Sequence, residues 1–298
     1  MGTIMMNGRL VREEEAVVSV FDHGLLYGVG AFETMRLYDG HLFLFADHLE
    51  RLEAGLKRMA IKSPHSPDEW RGQIDTLIRE TGYTSGVVRL MVTGGNAGAG
   101  LGSGYDQPNS FVWLRPLPFS PGEPFNRGRK MKTVSVPRQA IGGAEPYKTN
   151  NYLNSILARQ ELGQLSDTEG LMLTPDGYVA EGIVSNLFFV KNGVLYTPSL
   201  DLGILNGVTR RFILRLAALL GIPVKEGAFS PSFLYDSDEI FIANSLLEIV
   251  PVTEWEGREW FQFPLTKRLI EAYHQYVTWL TDSDELRGKG ETNDESSD

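Results

Sequence analysis

The sequence predicts an α+β protein built from two domains. Strand-like and helix-like hydrophobic periods follow one another without regular alternation, which argues against a doubly wound parallel sheet. A stretch at 116–129 holds four prolines and no hydrophobic period, as an interdomain linker does. The 298 residues suffice for two ordinary domains. The expected division is an N-terminal domain over 1–118, a linker over 119–130, a C-terminal domain over 131–280 and an acidic tail over 281–298. The tail carries seven acids, two bases and almost no apolar residue, so it holds half of the net charge of −10 and is expected to be disordered.

The elements follow in order. Ile4–Leu10 and Ala16–Val20 have the composition of short strands. Thr34–Tyr38 and His41–Phe45 flank Asp39-Gly40, a hairpin signal. From 46 to 59 the period becomes helical, with Leu49, Leu52, Leu56 and Met59 on one face. Ser66-Pro67-Asp68-Glu69 is a capping box with proline at the first helical position, and Trp70, Ile74, Leu77 and Ile78 form the apolar stripe behind it. Val87–Thr93 and Ser110–Arg115 are strands around a glycine-rich loop at 94–104. Met131–Val136 opens the second domain and a helix runs from Tyr152 to Leu162. Turns are expected at Pro175-Asp176-Gly177 and at Lys191-Asn192-Gly193, the latter between strands Asn186–Val190 and Val194–Thr197. A helix over 208–220 ends at Gly221 with Pro223 beyond it. Glu239–Ala243 reads as a buried strand and 264–280 as a last helix.

Composition narrows the chemistry. With 42% hydrophobic and 22% charged residues this is a soluble globular chain. The absence of cysteine excludes disulfides, thiolate metal sites and a cysteine nucleophile, and suits a reducing, cytoplasmic setting. No secretory signal or membrane span is expected, and Met6 breaks the myristoylation pattern that Gly2 would open. No basic run interleaved with aromatics points to nucleic acid. The five histidines show no metal-ligand spacing, and His23 and His48 read as structural. The 94–104 loop matches neither the dinucleotide nor the Walker glycine pattern.

Three segments carry more. Lys148 opens Lys-Thr-Asn-Asn-Tyr152 at a junction between a Gly-Gly-Ala-Glu-Pro-Tyr loop and a helix. Glu181 opens Glu-Gly-Ile-Val-Ser-Asn186 before a strand. Asn206-Gly-Val-Thr-Arg-Arg211 starts a helix, whose free N–H groups and positive dipole end suit an anion. Each has an ordinary reading: a surface lysine, an edge-strand carboxylate, a plain helix start. Together they are the set that a pyridoxal 5′-phosphate site needs: an amine for covalent attachment, a carboxylate to keep the pyridine nitrogen protonated, and a phosphate seat. Asn244-Ser245 could add phosphate donors. Arg51 could add a full charge, with a solvated surface arginine as its competitor.

These segments resemble the fold-type IV pyridoxal phosphate enzymes: branched-chain aminotransferases, D-amino-acid aminotransferases and aminodeoxychorismate lyases. The resemblance runs from Asn7-Gly8 to about Val252. It implies a two-domain, D-amino-acid aminotransferase-like fold with the cofactor between the domains, and a homodimer. It implies that Lys148 binds the cofactor, Glu181 contacts the pyridine nitrogen and Tyr152 lies near the ring hydroxyl. Arg51, Val208, Thr209, Asn244 and Ser245 would hold the phosphate.

Phe32-Glu33-Thr34, Asn244-Ser245-Leu246 and the arginine-free 94–104 loop are most similar to aminodeoxychorismate lyases of Gram-positive bacteria. That subgroup converts 4-amino-4-deoxychorismate to 4-aminobenzoate and pyruvate on the way to folate. Lys148 and Thr34 would be the catalytic residues, Thr34 giving a proton to the leaving group. The alternative is a branched-chain or D-amino-acid aminotransferase on the same site.

Overall fold

The computed structural model describes residues 2–120, 122–138, 147–165 and 167–289. The chain divides into two compact units. Unit 1 comprises Met1–Pro118, Tyr147–Asn151 and Tyr276–Asp298, and unit 2 comprises Phe119–Pro146 and Tyr152–Gln275. The α+β expectation holds.

Unit 1 is an antiparallel sheet covered by two helices. Its strands are β1 (Thr3–Met6), β2 (Arg9–Arg12), β3 (Gly30–Tyr38), β4 (His41–Leu42), β5 (Gly86–Thr93) and β6 (Asn109–Arg115). They lie in the order β2-β1-β6-β5-β3-β4. Its helices are α1 (His23–Tyr27), α2 (Phe45–Arg58) and α3 (Pro67–Thr81). Buried and half-buried residues alternate along β5 and β6, so one face carries Val88, Leu90, Val112 and Leu114 to the core. Leu49, Leu52 and Leu56 of α2 and Trp70, Ile74 and Leu77 of α3 close that core. The Ser66–Glu69 capping box forms as the sequence predicts. The expected strand Ile4–Leu10 is instead two strands, because Asn7 and Gly8 take positive φ angles of 50° and 75° and turn the chain. Ala16–Val20 is not a strand. Its valines are exposed, and β-branched composition makes a strand only where a partner strand is available.

The C-terminal segment belongs to this unit, and it seals the start of α2. Helix α2 lacks a side-chain cap. The Ala46 N–H donates instead to the Thr281 carbonyl, and the Leu44 N–H donates to the Leu280 carbonyl. The Ser283 N–H and hydroxyl both donate to the Asp47 carboxylate, at 2.8 and 2.5 Å. The expected disordered tail therefore begins later than 281, since Ser283 is fully buried and a short 3-10 helix covers Ser283–Lys289. The remainder, 290–298, lies outside the described residues. Asp47→Ala should lower stability by about 1–3 kcal/mol, because it leaves buried donors without their acceptor. Urea unfolding measures this, and an unchanged midpoint would contradict the clamp.

Unit 2 holds β7 (Arg129–Thr133), β8 (Thr168–Leu173), β9 (Val179–Gly182), β10 (Asn186–Lys191), β11 (Val194–Pro198), β12 (Val224–Gly227), β13 (Glu239–Asn244), β14 (Glu248–Trp255) and β15 (Arg258–Glu259). The order is β12-β11-β10-β13-β14-β7-β8-β9, with β15 on β14. Its helices are α4 (Glu123–Arg127), α5 (Leu153–Glu161), α6 (Val208–Leu219), α7 (Pro231–Tyr235) and α8 (Pro264–His274). Leu171, Leu187, Phe189, Ile240, Ile242, Val250 and Val252 form its core. Phe212 of α6 meets Tyr273 of α8 edge to face.

Three expected boundaries change. Residues 119–130 are not a linker: α4 and the start of β7 belong to unit 2, where β7 pairs in parallel with β14 and β8. The last helix stops at His274 rather than 280, and the chain from Tyr276 joins unit 1. The Lys148 segment, Tyr147–Asn151, is likewise part of unit 1. Each change is made by pairing between residues distant in sequence, which local periodicity does not record. No helix among the described residues is long and apolar enough to cross a membrane.

Candidate active site

The predicted site residues fall in both units. Thr34, Arg51 and Lys148 belong to unit 1, and Tyr152, Glu181, Val208, Thr209, Asn244 and Ser245 belong to unit 2.

In unit 1 the Lys148 segment is held against the start of β3. The Phe32 N–H donates to the Lys148 carbonyl at 3.0 Å, and the Asn150 N–H donates to the Gly30 carbonyl at 3.0 Å. Ala31 and Thr149 form a bridge between these bonds. The loop preceding Lys148, 139–146, lies outside the described residues. This anchoring brings the Lys148 ammonium to 4.6 Å from the centre of the Phe32 ring. The Arg89 guanidinium lies over the same ring at 3.8 Å. Arg89 is the β5 residue directly opposite Thr34. Thr34 follows Phe32 by two residues, so both point to one side of β3. An amine, a hydroxyl and a guanidinium thus gather around one phenylalanine.

Arg51 is not part of that gathering. It projects from α2 toward the other side of β3 and meets Glu33, as does His48. Burial pushes the Glu33 carboxyl up, but the Arg51 and His48 charges outweigh it and hold it down at about 2. Burial pushes the His48 imidazole down, against the pull of the Glu33 carboxylate beside it.

In unit 2 Glu181 is a buried carboxylate held on several sides. Asn186 Nδ2 donates to it at 2.9 Å and the Leu205 N–H at 3.1 and 3.2 Å. Arg138 Nε is 2.7 Å away, an ion pair without hydrogen-bond alignment. Such donors favour the ionised form. Asn186 also donates to the Leu205 carbonyl at 2.9 Å, which ties the Glu181 strand to the turn before α6. That turn ends at Gly207, the α6 N-cap, where no side chain caps the helix. A Cβ on Gly207 would lie 2.0 Å from Asn186 Oδ1, so the close approach requires glycine. The first-turn N–H groups of Val208 and Thr209 lack helical acceptors by geometry. The Thr209 and Ser245 hydroxyls lie beside them, 3.3 Å from one another.

The Asn244 side chain is engaged within its own turn and with the neighbouring loop. Its Oδ1 accepts from the Leu246 and Leu247 N–H groups at 2.9 and 2.7 Å, and its Nδ2 donates to the Val184 carbonyl at 3.3 Å. The side chain shapes the turn that carries Ser245. Tyr152 is the α5 N-cap residue. It borders a cavity of about 460 Å3 within unit 2, together with Ile183, Val184, Leu247, Arg129 and Arg159. That volume is typical of a small-molecule pocket. Glu169 also faces this cavity; burial raises its carboxyl, against hydrogen bonds from Ser185 and the Gly170 and Ile183 N–H groups.

Sequence reasoning missed Arg89, Glu33 and Arg138 as members of these clusters. For Arg89 a signal existed: once β3 and β5 are paired, the arginine stands opposite Thr34. For Glu33 and Arg138 there was none, because their partners are fixed by helix-on-sheet packing and by a loop. The set of groups suits a phosphorylated pyridine: hydroxyls and helix N–H groups for the phosphate, a buried carboxylate for a ring N–H.

The relatives agree with this chemistry. The family model for amino-transferase class IV matches residues 30–255. The chain is 41% identical to the aminodeoxychorismate lyase of Bacillus subtilis (strain 168), over 85% of this chain and 86% of that one. It is 40% identical to a putative branched-chain-amino-acid aminotransferase of Methanocaldococcus jannaschii, over 86% and 88%. Among solved structures, a T.th. branched-chain amino acid aminotransferase with pyridoxamine 5′-phosphate aligns with a TM-score of 0.84 and 31% identity, covering 93% of this chain and 94% of that one. The match covers most of the chain at every level of comparison, and the chain belongs to the class IV aminotransferase family.

Proposed function

We propose that this family member is a lyase, converting 4-amino-4-deoxychorismate to 4-aminobenzoate and pyruvate, a step toward folate. The cofactor is pyridoxal 5′-phosphate, which when bound supplies an electron sink for the carbon next to the substrate nitrogen. The observation that carries the lyase reading is Thr34 on the same side of β3 as Phe32, whose ring Lys148 meets: a hydroxyl on that side can protonate a leaving group, and transamination has no leaving group to protonate. The likeness to the Bacillus subtilis enzyme supports it.

Lys148 attaches the cofactor and, once displaced as a neutral amine, takes the proton from the ring carbon that bears nitrogen. Thr34 donates to the enolpyruvyl group as the carbon–oxygen bond breaks. Glu181 keeps the pyridine nitrogen protonated. Val208, Thr209, Asn244 and Ser245 seat the phosphate with Arg51, and the Asn244 side chain also supports the Ser245 turn. Tyr152 lies toward the ring hydroxyl. Arg89, next to Thr34 across the sheet, meets a substrate carboxylate. Arg89→Gln should raise KM for aminodeoxychorismate by roughly ten- to a hundredfold with a smaller effect on kcat. Equal loss in both constants would count against that assignment.

The deciding experiment incubates the enzyme with aminodeoxychorismate and records the fluorescence of 4-aminobenzoate. The aminotransferase reading draws support from the Methanocaldococcus jannaschii relative. It predicts instead that added L- or D-amino acids convert the cofactor to its pyridoxamine form without 4-aminobenzoate. We also infer a homodimer in the cytoplasm. Val17, Val20, Phe21 and Leu25 expose apolar surface along one short segment, which a second copy would cover.

A further inference from the structure

Glu33 is a fully buried carboxylate that the proposed reaction does not use. Its Oε1 accepts from Arg51 Nε at 2.7 Å, and its Oε2 accepts from Arg51 Nη2 at 2.7 Å. The same Oε2 is 2.6 Å from His48 Nδ1. His48 and Arg51 are three residues apart on α2, so a single helix face offers both to β3. The arginine is therefore held side-on through the Nε–Nη2 edge of its fork, with an imidazole bracing the carboxylate from behind.

A buried ion pair is a poor stabiliser compared with well-packed apolar groups, so its presence in a core asks for another reason. Pre-ordering supplies one. A free arginine side chain loses considerable rotamer freedom when it binds a ligand, and an arginine already clamped has lost it on folding. Glu33 takes the Nε–Nη2 edge of this guanidinium, which fixes the direction of its Nη1–Nη2 edge.

We propose that Glu33, braced by His48, is the positioning residue for Arg51, clamping the guanidinium so that its Nη edge is set in advance for the cofactor's phosphate. This rests on the reading of Arg51 as a phosphate ligand. The clamp acts on the phosphate alone, so it sets how strongly the protein prefers pyridoxal phosphate to pyridoxal.

The test titrates the full-length chain, freed of cofactor, with pyridoxal phosphate and with pyridoxal, following the absorbance of the bound aldehyde. The readout is the ratio of the two affinities. Arg51→Ala should lower that ratio at least about tenfold. Glu33→Gln should lower it by a similar factor while leaving the affinity for pyridoxal near that of the wild type. If Arg51→Ala lowers the ratio and Glu33→Gln does not, or if Glu33→Gln weakens both aldehydes equally, the positioning role is overturned and Glu33 is a structural partner only. An unchanged ratio in Arg51→Ala overturns the phosphate reading itself, and the positioning role with it. Should Glu33→Gln fail to fold, Glu33→Asp decides. It keeps the charge but shortens the reach by one methylene, so a lowered ratio supports the clamp and a wild-type ratio refutes it.

Discussion

Lys148→Ala is expected to purify without the yellow colour of a covalently held cofactor and to turn over at least about a thousandfold more slowly than the wild type. Two functions disappear together in this variant. On the proposed roles, the variant lacks both the amine that would anchor the cofactor and the base that would move the substrate proton. The surroundings should persist. The Lys148 backbone is held by the Phe32 N–H and by the bridge at Thr149, and neither bond uses the side chain. Phe32 would keep the Arg89 guanidinium on its ring. Thermal unfolding near that of the wild type, with loss of colour and rate, is thus the full expected pattern. Absorbance after borohydride reduction checks the attachment directly. A variant that still incorporates reduced cofactor and still turns over would place the attachment at another lysine.

Glu181→Gln should bind cofactor yet lose turnover by about a hundredfold or more, the usual scale for removing one electrostatic group that acts on the reacting charge. The substitution keeps the shape of the side chain and removes its charge. The ring nitrogen then no longer gains from a neighbouring anion, and it holds its proton less firmly. A second effect runs through the protein. The new amide nitrogen would face Asn186 Nδ2, the Leu205 N–H or Arg138, all of which now meet an acceptor. A modest loss of stability should accompany the loss of rate. Single-turnover kinetics with saturating cofactor separates the chemical step from binding. An unchanged rate at full occupancy would remove Glu181 from the mechanism.

Much of the local structure was legible in the sequence because it is set by neighbours along the chain. The capping box at Ser66–Glu69, the Gly207 start of α6 and the strand after Glu181 are each set within a few residues, where hydrogen-bonding chemistry and hydrophobic period leave a readable trace. Asn244 shows what such a trace leaves out. Its place in the chain marks a hydrogen-bonding side chain, and the fold alone decides that its amide meets Leu246, Leu247 and Val184. Residue type announced a hydrogen-bonding group but not its partner.

The chain order of its amino acids was enough to establish an α+β protein, a lysine before a helix, a carboxylate before a strand, a helix start between that carboxylate and Asn244-Ser245, and the resemblance to one family. Tertiary packing alone assigned the Lys148 strap to the sheet of unit 1, set Arg89 opposite Thr34, and shut Glu33 against Arg51 and His48. The reason is physical. Periodicity and capping act over one or two turns of chain, whereas strand register and helix-on-sheet packing are chosen by the burial of whole faces. A charged side chain at a register position acquires its partner only when that face closes.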